Sequence, residues 1–137
     1  MKKKTIIIVV LLLVLAAVVK FRFALTYVFF SGETLQLDRL EISSVHGTSV
    51  TVVPIRTAEL SESQIDSFTE LLNSLELKKM PFSNEGKGGW LYGFSVFKDD
   101  GSFVSISFLD NGLVTVDGNI YATLRSASDR LEEYFHS

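Results

Sequence analysis

The residue types that most often perform catalysis or bind metals are sparse in this chain of 137 residues. There is no cysteine, which excludes disulfides, thiolate metal sites and a cysteine nucleophile. The two histidines, His46 and His136, lack the spacing of a local metal-ligand pair. His46 begins the tripeptide His46-Gly47-Thr48, a composition that predicts a solvated turn. We therefore expect neither a metal nor a cofactor.

Serines and acidic residues give weaker signals of chemistry. The pentapeptide around Ser95, Gly-Phe-Ser-Val-Phe, begins like the nucleophile elbow of serine hydrolases but lacks the closing glycine and the following helix. Three acidic runs with glycine, at 99–101, 110–112 and 117–119, lack the distal glutamate of a calcium loop, and hairpin turns account for them. A small hydrolase built from scattered carboxylates and serines stays open as the alternative to a protein without enzymatic activity.

The run from Ser83 to Tyr92 has the best chemistry for binding a partner. Glycines let a loop adapt at little steric cost, and tryptophan and tyrosine are common interface anchors. The candidate partner-binding residues are Gly86, Lys87, Gly88, Gly89, Trp90 and Tyr92. In the alternative interpretation, the glycines only connect a helix to a strand, and both aromatic side chains belong to the core.

Charge is divided unevenly along the chain. Residues 1–32 contain five bases and no acid, whereas residues 33–137 contain all 16 acids and eight bases, a net charge of −8. Nucleic-acid phosphates are bound by clustered lysine and arginine. The acidic composition of residues 33–137 therefore argues against a nucleic-acid partner.

Residues 1–32 predict a segment that enters a membrane. Three lysines, at 2–4, precede an unbroken apolar run at 6–19, and a second apolar stretch follows Lys20 and Arg22. A cleaved secretory signal requires small residues beyond its apolar core, but Ala16 and Ala17 lie inside this one. We therefore favour an uncleaved signal-anchor over a cleaved signal. The anchor interpretation places residues 5–30 in the lipid bilayer, with the N-terminus cytoplasmic by the positive-inside rule.

Residues 33–137 predict one extracytoplasmic domain. Leucines and isoleucine at 37–42 suggest a first strand that ends near Val45, and the β-branched run at 49–55 suggests its hairpin partner. A capping box of Ser61 and Gln64 begins a helix, with the lysines at 78–79 at its carboxyl end or in the turn beyond. Four alternating strands separated by Asp-Gly or Asn-Gly turns follow from Trp90. Ser126 or Ser128 is expected to cap a last helix.

This order of elements predicts an α+β fold. The turns between the last four strands are too short for crossovers, so the sheet must be antiparallel, with a two-strand hairpin, a four-strand meander and two helices on one face.

Residues 60–135 resemble small extracytoplasmic domains of unknown function from Gram-positive bacteria. The resemblance comes from the capped helix, the glycine-rich loop, the meander and a terminal Gly-x-x-Tyr segment, here Gly118-Asn119-Ile120-Tyr121. It implies no catalytic residue. Together with the leader, it predicts a single-pass protein of the cell membrane, with a non-enzymatic domain outside that binds or regulates another envelope protein.

Overall fold

The computed structural model describes residues 2–21, 25–81 and 89–136 of the chain. Its strands are β1 (Ile42–Ser49), β2 (Arg56–Glu59), β3 (Lys78–Lys79), β4 (Trp90–Lys98), β5 (Phe103–Leu109), β6 (Val114–Val116) and β7 (Asn119–Ala122). Its α-helices are α1 (Lys2–Lys20), α2 (Glu62–Ser74) and α3 (Ser128–Glu132). Short helical turns occupy Thr26–Phe30, Arg39–Glu41 and Glu133–Phe135.

The seven strands form one antiparallel sheet, which confirms the predicted α+β class. Their spatial order is β2-β1-β4-β5-β6-β7-β3. The expected hairpin is β1–β2 and the expected meander is β4 to β7, and the pairing of β1 with β4 joins them. The sequence did not predict β3, which pairs with β7 at one edge of the sheet.

The predicted positions of the first two strands are wrong. The tripeptide 46–48, predicted as a turn, lies in the middle of β1 and pairs with both β2 and β4. The position of Gly47 in the strand requires glycine, because a Cβ atom there would lie 2.9 Å from ring atoms of both Phe94 and Phe135. The β-branched run before β2 is an exposed loop, in which Val53 is 96% exposed. Pro54 lacks the N–H that a paired strand requires.

Helix α2 begins as the sequence predicts and ends earlier. The Ser61 side chain accepts a hydrogen bond from the Gln64 backbone N–H, and the Gln64 side chain accepts one from the Ser61 N–H. The prediction that the lysines at 78–79 lie at its carboxyl end or in the turn beyond is wrong, because the helix ends at Ser74 and the two lysines form β3. Glu76 takes a left-handed conformation, with φ of 52°, which turns the chain into β3.

Both C-terminal helical segments and α2 pack on the same face of the sheet. The Phe68 ring of α2 lies 4.7 Å from that of Phe94 in β4 and 6.0 Å from that of Tyr134, centroid to centroid. The residues expected to face inward from the last helix are buried: Ala127, Leu131, Tyr134 and Phe135. The expected serine cap is wrong, because Ala127 occupies the cap position and makes no side-chain hydrogen bond.

The turns of the meander have the predicted glycine chemistry. Gly101, Gly112 and Gly118 have φ of 88°, 84° and 87°, the left-handed region in which a Cβ atom is strained. Each of them ends or lies within one of the three acidic runs considered as calcium loops. Turn geometry therefore accounts for the glycine in each run.

Helix α1 contains the apolar run of the leader and buries none of its residues. Among the residues that the structure describes, no helix is both long enough and apolar enough to cross a membrane. After α1, Tyr27 is buried in a small apolar cluster with Met80, Ile120 and Ala122. Ile120 is in register with Thr115 and, through it, with Ser107. This cluster therefore lies on the face of the sheet opposite the main core.

Candidate functional site

The structure describes half of the candidate partner-binding residues. Gly86, Lys87 and Gly88 lie outside the described residues. The Gly89 carbonyl oxygen accepts a hydrogen bond from the Asp110 backbone N–H at 2.8 Å, which holds the start of β4 beside the end of β5. Trp90 and Tyr92 both lie in β4, so their side chains can be compared directly.

A β-bulge places Trp90 and Tyr92 on opposite faces of the sheet. Tyr92 stands opposite Phe108 of β5, but Trp90 stands opposite Leu109, so Leu91 is one extra residue on β4. Strict alternation would have put the two aromatic side chains on one face. Instead, Tyr92 is buried under the helices, and Trp90 is 43% exposed on the uncovered side.

Trp90 closes one end of a shallow groove on the uncovered side of the sheet. The groove has a volume of about 250 Å³. Its floor includes Gly93, where a Cβ atom would lie 3.4 Å from the Trp90 ring. The other side chains that line it are small or polar and come from β1, β4 and β5: His46, Thr48, Ser95, Ser105 and Ser107. We call these residues, with Trp90 and Gly93, the open face.

Aromatic side chains border the open face at its other end. The Phe97 and Phe103 rings lie 5.7 Å apart, and the His46 ring meets Phe97 edge-on at 5.5 Å. Phe103 is 57% exposed and Phe97 is 36% exposed. The groove thus offers hydroxyl groups between aromatic surfaces, a combination that suits binding.

Three side chains of types used in hydrolases lie in one cross-strand row. Glu59 is opposite His46, and His46 is opposite Ser95. The His46 Nε2 atom is 3.9 Å from a Glu59 carboxylate oxygen, beyond hydrogen-bond distance. Within residues 2–21, 25–81 and 89–136, no hydrogen bond joins His46 to Ser95. Ser95 lies on a strand paired on both sides, so the strand ladder uses the N–H groups that an oxyanion hole would need. The row has the residue types of a triad without its geometry.

Tyr92 takes part in a polar network that fastens the last helix to the sheet. Its hydroxyl donates a hydrogen bond to Glu132 Oε2 at 2.5 Å. The Arg56 guanidinium donates to the other oxygen of the same carboxylate, and Thr51 donates to Oε2 at 3.3 Å. The Tyr92 ring stacks on Phe135 at 5.8 Å. Tyr92 is therefore engaged within the domain.

The network changes the titration of its members. Burial, with the hydrogen bond and charge of Glu132, raises the pKa of Tyr92 to about 12. Hydrogen bonds from Tyr92 and Arg56 lower the pKa of Glu132 below its ordinary value. The carboxylate stays ionised and the phenol neutral across the physiological range, so the network fixes the fold and does not exchange protons at neutral pH.

In the part of the chain that the structure describes, no three His, Asp or Glu residues are grouped so that they could hold a metal ion. Comparison with protein-family models, with curated proteins and with solved structures finds no match to this chain. The residues themselves must therefore carry the functional interpretation.

Sequence reasoning missed most of the open face. Its signal was present as serine and threonine at alternate positions of the strands, between the apolar residues that face the helices. Such alternation is the ordinary pattern of a solvated face. Only the strand order brings His46, Ser95 and Ser105 into one row, and only the bulge adds Trp90.

Proposed function

We propose that the protein is a membrane-anchored, non-enzymatic binding domain that acts on another protein of the cell envelope. In this proposal α1 is an uncleaved signal-anchor, the N-terminus is cytoplasmic, and the folded domain lies outside. The resemblance to Gram-positive extracytoplasmic domains fits this arrangement and stays a prediction.

One observation supports the proposal that α1 is a membrane anchor. The side chains of α1 from Ile6 to Leu15 and beyond are apolar on every side of the helix, and none of the helix is buried against the domain. A helix that is apolar all round needs an apolar environment on all its sides, which a large core or a bilayer supplies. The lysines at its two ends suit the two interfaces, since long basic side chains reach toward water.

Extraction of cell membranes at alkaline pH tests the anchor. We expect the full chain to stay with the membrane fraction and to have an intact mass that includes residues 1–32. Leu13→Lys should release it, because a lysine at the centre of a span costs about 2.5–3.5 kcal/mol. Leu124→Lys is the matched control, since Leu13 and Leu124 are exposed to similar extents and Leu124 lies in the domain. A mature form that begins between Ala17 and Gly32 would show a cleaved signal instead.

Cysteine labelling tests the orientation without a background, because the chain has no native cysteine. A membrane-impermeant maleimide added to intact cells should label Val53→Cys in the domain and leave Lys3→Cys unlabelled until the cells are opened. The reverse result would place the domain in the cytoplasm.

The open face is the surface we assign to the partner. Exposed tryptophan is a frequent interface anchor, and the surrounding hydroxyls can adapt their hydrogen bonds to a partner. The absence of triad geometry around His46 favours binding over hydrolysis. The candidate loop residues Gly86, Lys87 and Gly88 precede Trp90 in the chain and belong to the same proposal.

Affinity capture of the tagged full chain from its own membranes tests the binding surface. Trp90→Ala should lose the captured protein, while Leu124→Ala, which also removes an exposed side chain, should keep it. Tyr92→Phe should keep it as well, because Tyr92 faces the helices. Retention of the partner by Trp90→Ala would remove the open face from consideration.

A further inference from the structure

Tyr27 fastens the segment after α1 to the folded domain. Its side chain is 6% exposed and packs in the apolar cluster on the β7–β3 end of the sheet. Its hydroxyl donates a hydrogen bond to the Glu76 carbonyl oxygen at 2.6 Å. The Lys78 ammonium lies 4.7 Å from the centroid of its ring. Burial, a hydrogen bond and a cation–π contact together hold Tyr27 against the folded domain.

The chain beyond Tyr27 continues this attachment along the sheet edge. The Gly32 N–H donates to the Lys79 carbonyl oxygen at 2.7 Å, and the Lys79 N–H donates to the Glu33 carbonyl oxygen at 2.9 Å. The Leu35 N–H donates to the Leu77 carbonyl oxygen at 2.7 Å. Residues 32–35 therefore run beside β3. The segment that follows α1 is thus in contact with the domain from Tyr27 onward.

The attachment point lies close to the end of α1. At about 1.5 Å per residue, a helix from Thr5 to Phe21 spans about 24 Å. The Leu25 N–H donates to the Phe21 carbonyl oxygen at 2.8 Å, so Leu25 lies close to the end of this helix. The helix length is about 6 Å less than the ~30 Å hydrocarbon thickness of a bilayer. If α1 is the anchor, Leu25 and Tyr27 lie near the outer boundary of the hydrocarbon layer.

Two apolar side chains beside Tyr27 point away from the domain. Val28 is 58% exposed and Phe29 is 71% exposed. Exposed neighbours of this kind have no stabilising role within the fold. With α1 as the anchor, Val28 and Phe29 lie near the outer boundary of the hydrocarbon layer. Membrane proteins concentrate aromatic side chains and lysines at this depth. Two lysines supply positive charge for lipid phosphates. Lys20 precedes Val28 in the sequence and lies 5.6 Å from the Phe21 ring, and Lys78 follows Phe29 and lies against the Tyr27 ring.

We propose that Val28 and Phe29 insert into the interfacial layer of the bilayer that holds α1. With Tyr27 docked, this insertion holds the β3 edge of the domain against the membrane surface. The inference rests on the proposed anchor and adds to it a fixed distance between the domain and the bilayer. A partner must then reach the domain at the membrane surface.

Single-cysteine variants of the full chain in phospholipid vesicles provide the test. Val28→Cys and Phe29→Cys carry a polarity-sensitive fluorophore, and Val53→Cys is the control. Val53 lies in the loop before β2, at the far edge of the sheet from β3, which is about 29 Å away at ~4.8 Å per strand. Each sample is first floated on a density gradient, and then quenched with iodide in the water or with a nitroxide on the lipid headgroup region.

We expect all three proteins to float with the vesicles. At positions 28 and 29, the headgroup nitroxide should quench the fluorophore severalfold more strongly than at position 53, and iodide should quench it severalfold less. Floating proteins with equal quenching at all three positions would overturn the insertion and leave the anchor intact. Shielding from iodide without quenching by the lipid nitroxide would also overturn it, because protein contacts would then cover the site. Proteins that fail to float would overturn the proposed anchor itself.

Discussion

Single residues of this domain show how closely its main core is packed. Gly47 in β1 is the clearest case, because a Cβ atom there would lie 2.9 Å from both the Phe94 and Phe135 rings. Gly93, in the paired strand β4, faces the open side, where the nearest atom to such a Cβ is a Trp90 ring carbon at 3.4 Å. The two glycines lie in the same region of the sheet, so they form a matched pair for mutation.

We predict that Gly47→Ala destabilises the protein by about 1–3 kcal/mol, because two buried rings must move to admit one methyl group. Gly93→Ala should be neutral or stabilising by up to about 1 kcal/mol, because alanine has less backbone freedom to lose than glycine. Urea unfolding of the full chain in detergent micelles, followed by circular dichroism, measures both. Equal effects of the two changes would contradict the packing around Gly47.

Glu132 gives a residue-scale prediction of pH dependence. Its pKa is lowered in the folded protein by hydrogen bonds from Tyr92 and Arg56. The stability that this carboxylate contributes is therefore complete above its ordinary pKa of 4.5 and is lost as pH falls through the lower folded value. Glu132→Gln should lower the melting temperature at pH 7, and its difference from wild type should shrink as pH falls below about 4.5.

Melting curves of the two proteins between pH 7 and pH 3 check this prediction. Glu70→Gln, on the exposed face of α2, is the control and should follow wild type. A constant difference between Glu132→Gln and wild type at every pH would mean that the charge of Glu132 does not contribute.

At the scale of elements, the ends of the two domain helices are stabilised in different ways. The reciprocal hydrogen bonds of Ser61 and Gln64 satisfy backbone groups at the start of α2. Helix α3 makes no such bond, although serines flank its first turn. Its position depends on buried Leu131 and on the Arg56–Glu132 ion pair. Local sequence thus defines the start of α2, and packing defines α3.

We predict that Ser61→Ala costs about 1 kcal/mol through loss of the cap. Ser126→Ala, beside the uncapped start of α3, should change the free energy of unfolding by less than about 0.5 kcal/mol. Urea unfolding of both variants under identical conditions provides the measurement. A cost for Ser126→Ala as large as that for Ser61→Ala would show a cap that the structure lacks.

At the scale of the whole molecule, the folded unit includes residues before Glu33. Tyr27 fills an apolar cluster that Met80, Ile120 and Ala122 complete from the sheet. A fragment that begins at Glu33 exposes this cluster and loses the Gly32–Lys79 hydrogen bond. The boundary between residues 32 and 33 therefore divides a basic segment from an acidic one, but residues on its two sides contact each other in the fold.

We predict that a fragment of residues 25–137 is more stable than one of residues 33–137 by about 2–4 kcal/mol. The difference combines burial of the Tyr27 ring with its hydrogen bond to Glu76. Tyr27→Ala in the longer fragment should remove most of the difference. Equal urea midpoints for the two fragments would contradict the docking of Tyr27.

The sequence alone determined the features that depend on neighbours along the chain. The capping box of α2, the glycine turns of the meander, and the alternation of β5 and of β4 from Tyr92 onward are local patterns, and the structure contains all of them. The α+β class and the antiparallel sheet follow from them, because short turns permit no crossover.

The tertiary structure decided the features that depend on residues distant in sequence. His46-Gly47-Thr48 has the composition of a turn, but pairing with β2 and β4 makes it the middle of a strand. The lysines at 78–79 suit a helix end, but they pair with β7 and form a strand of the sheet. Trp90 and Tyr92 are two positions apart, yet one extra residue in β4 sends them to opposite faces. Each outcome comes from strand pairing, which the local sequence does not encode because the paired residues lie between 9 (Thr48 and Thr57) and 49 (His46 and Ser95) positions apart along the chain.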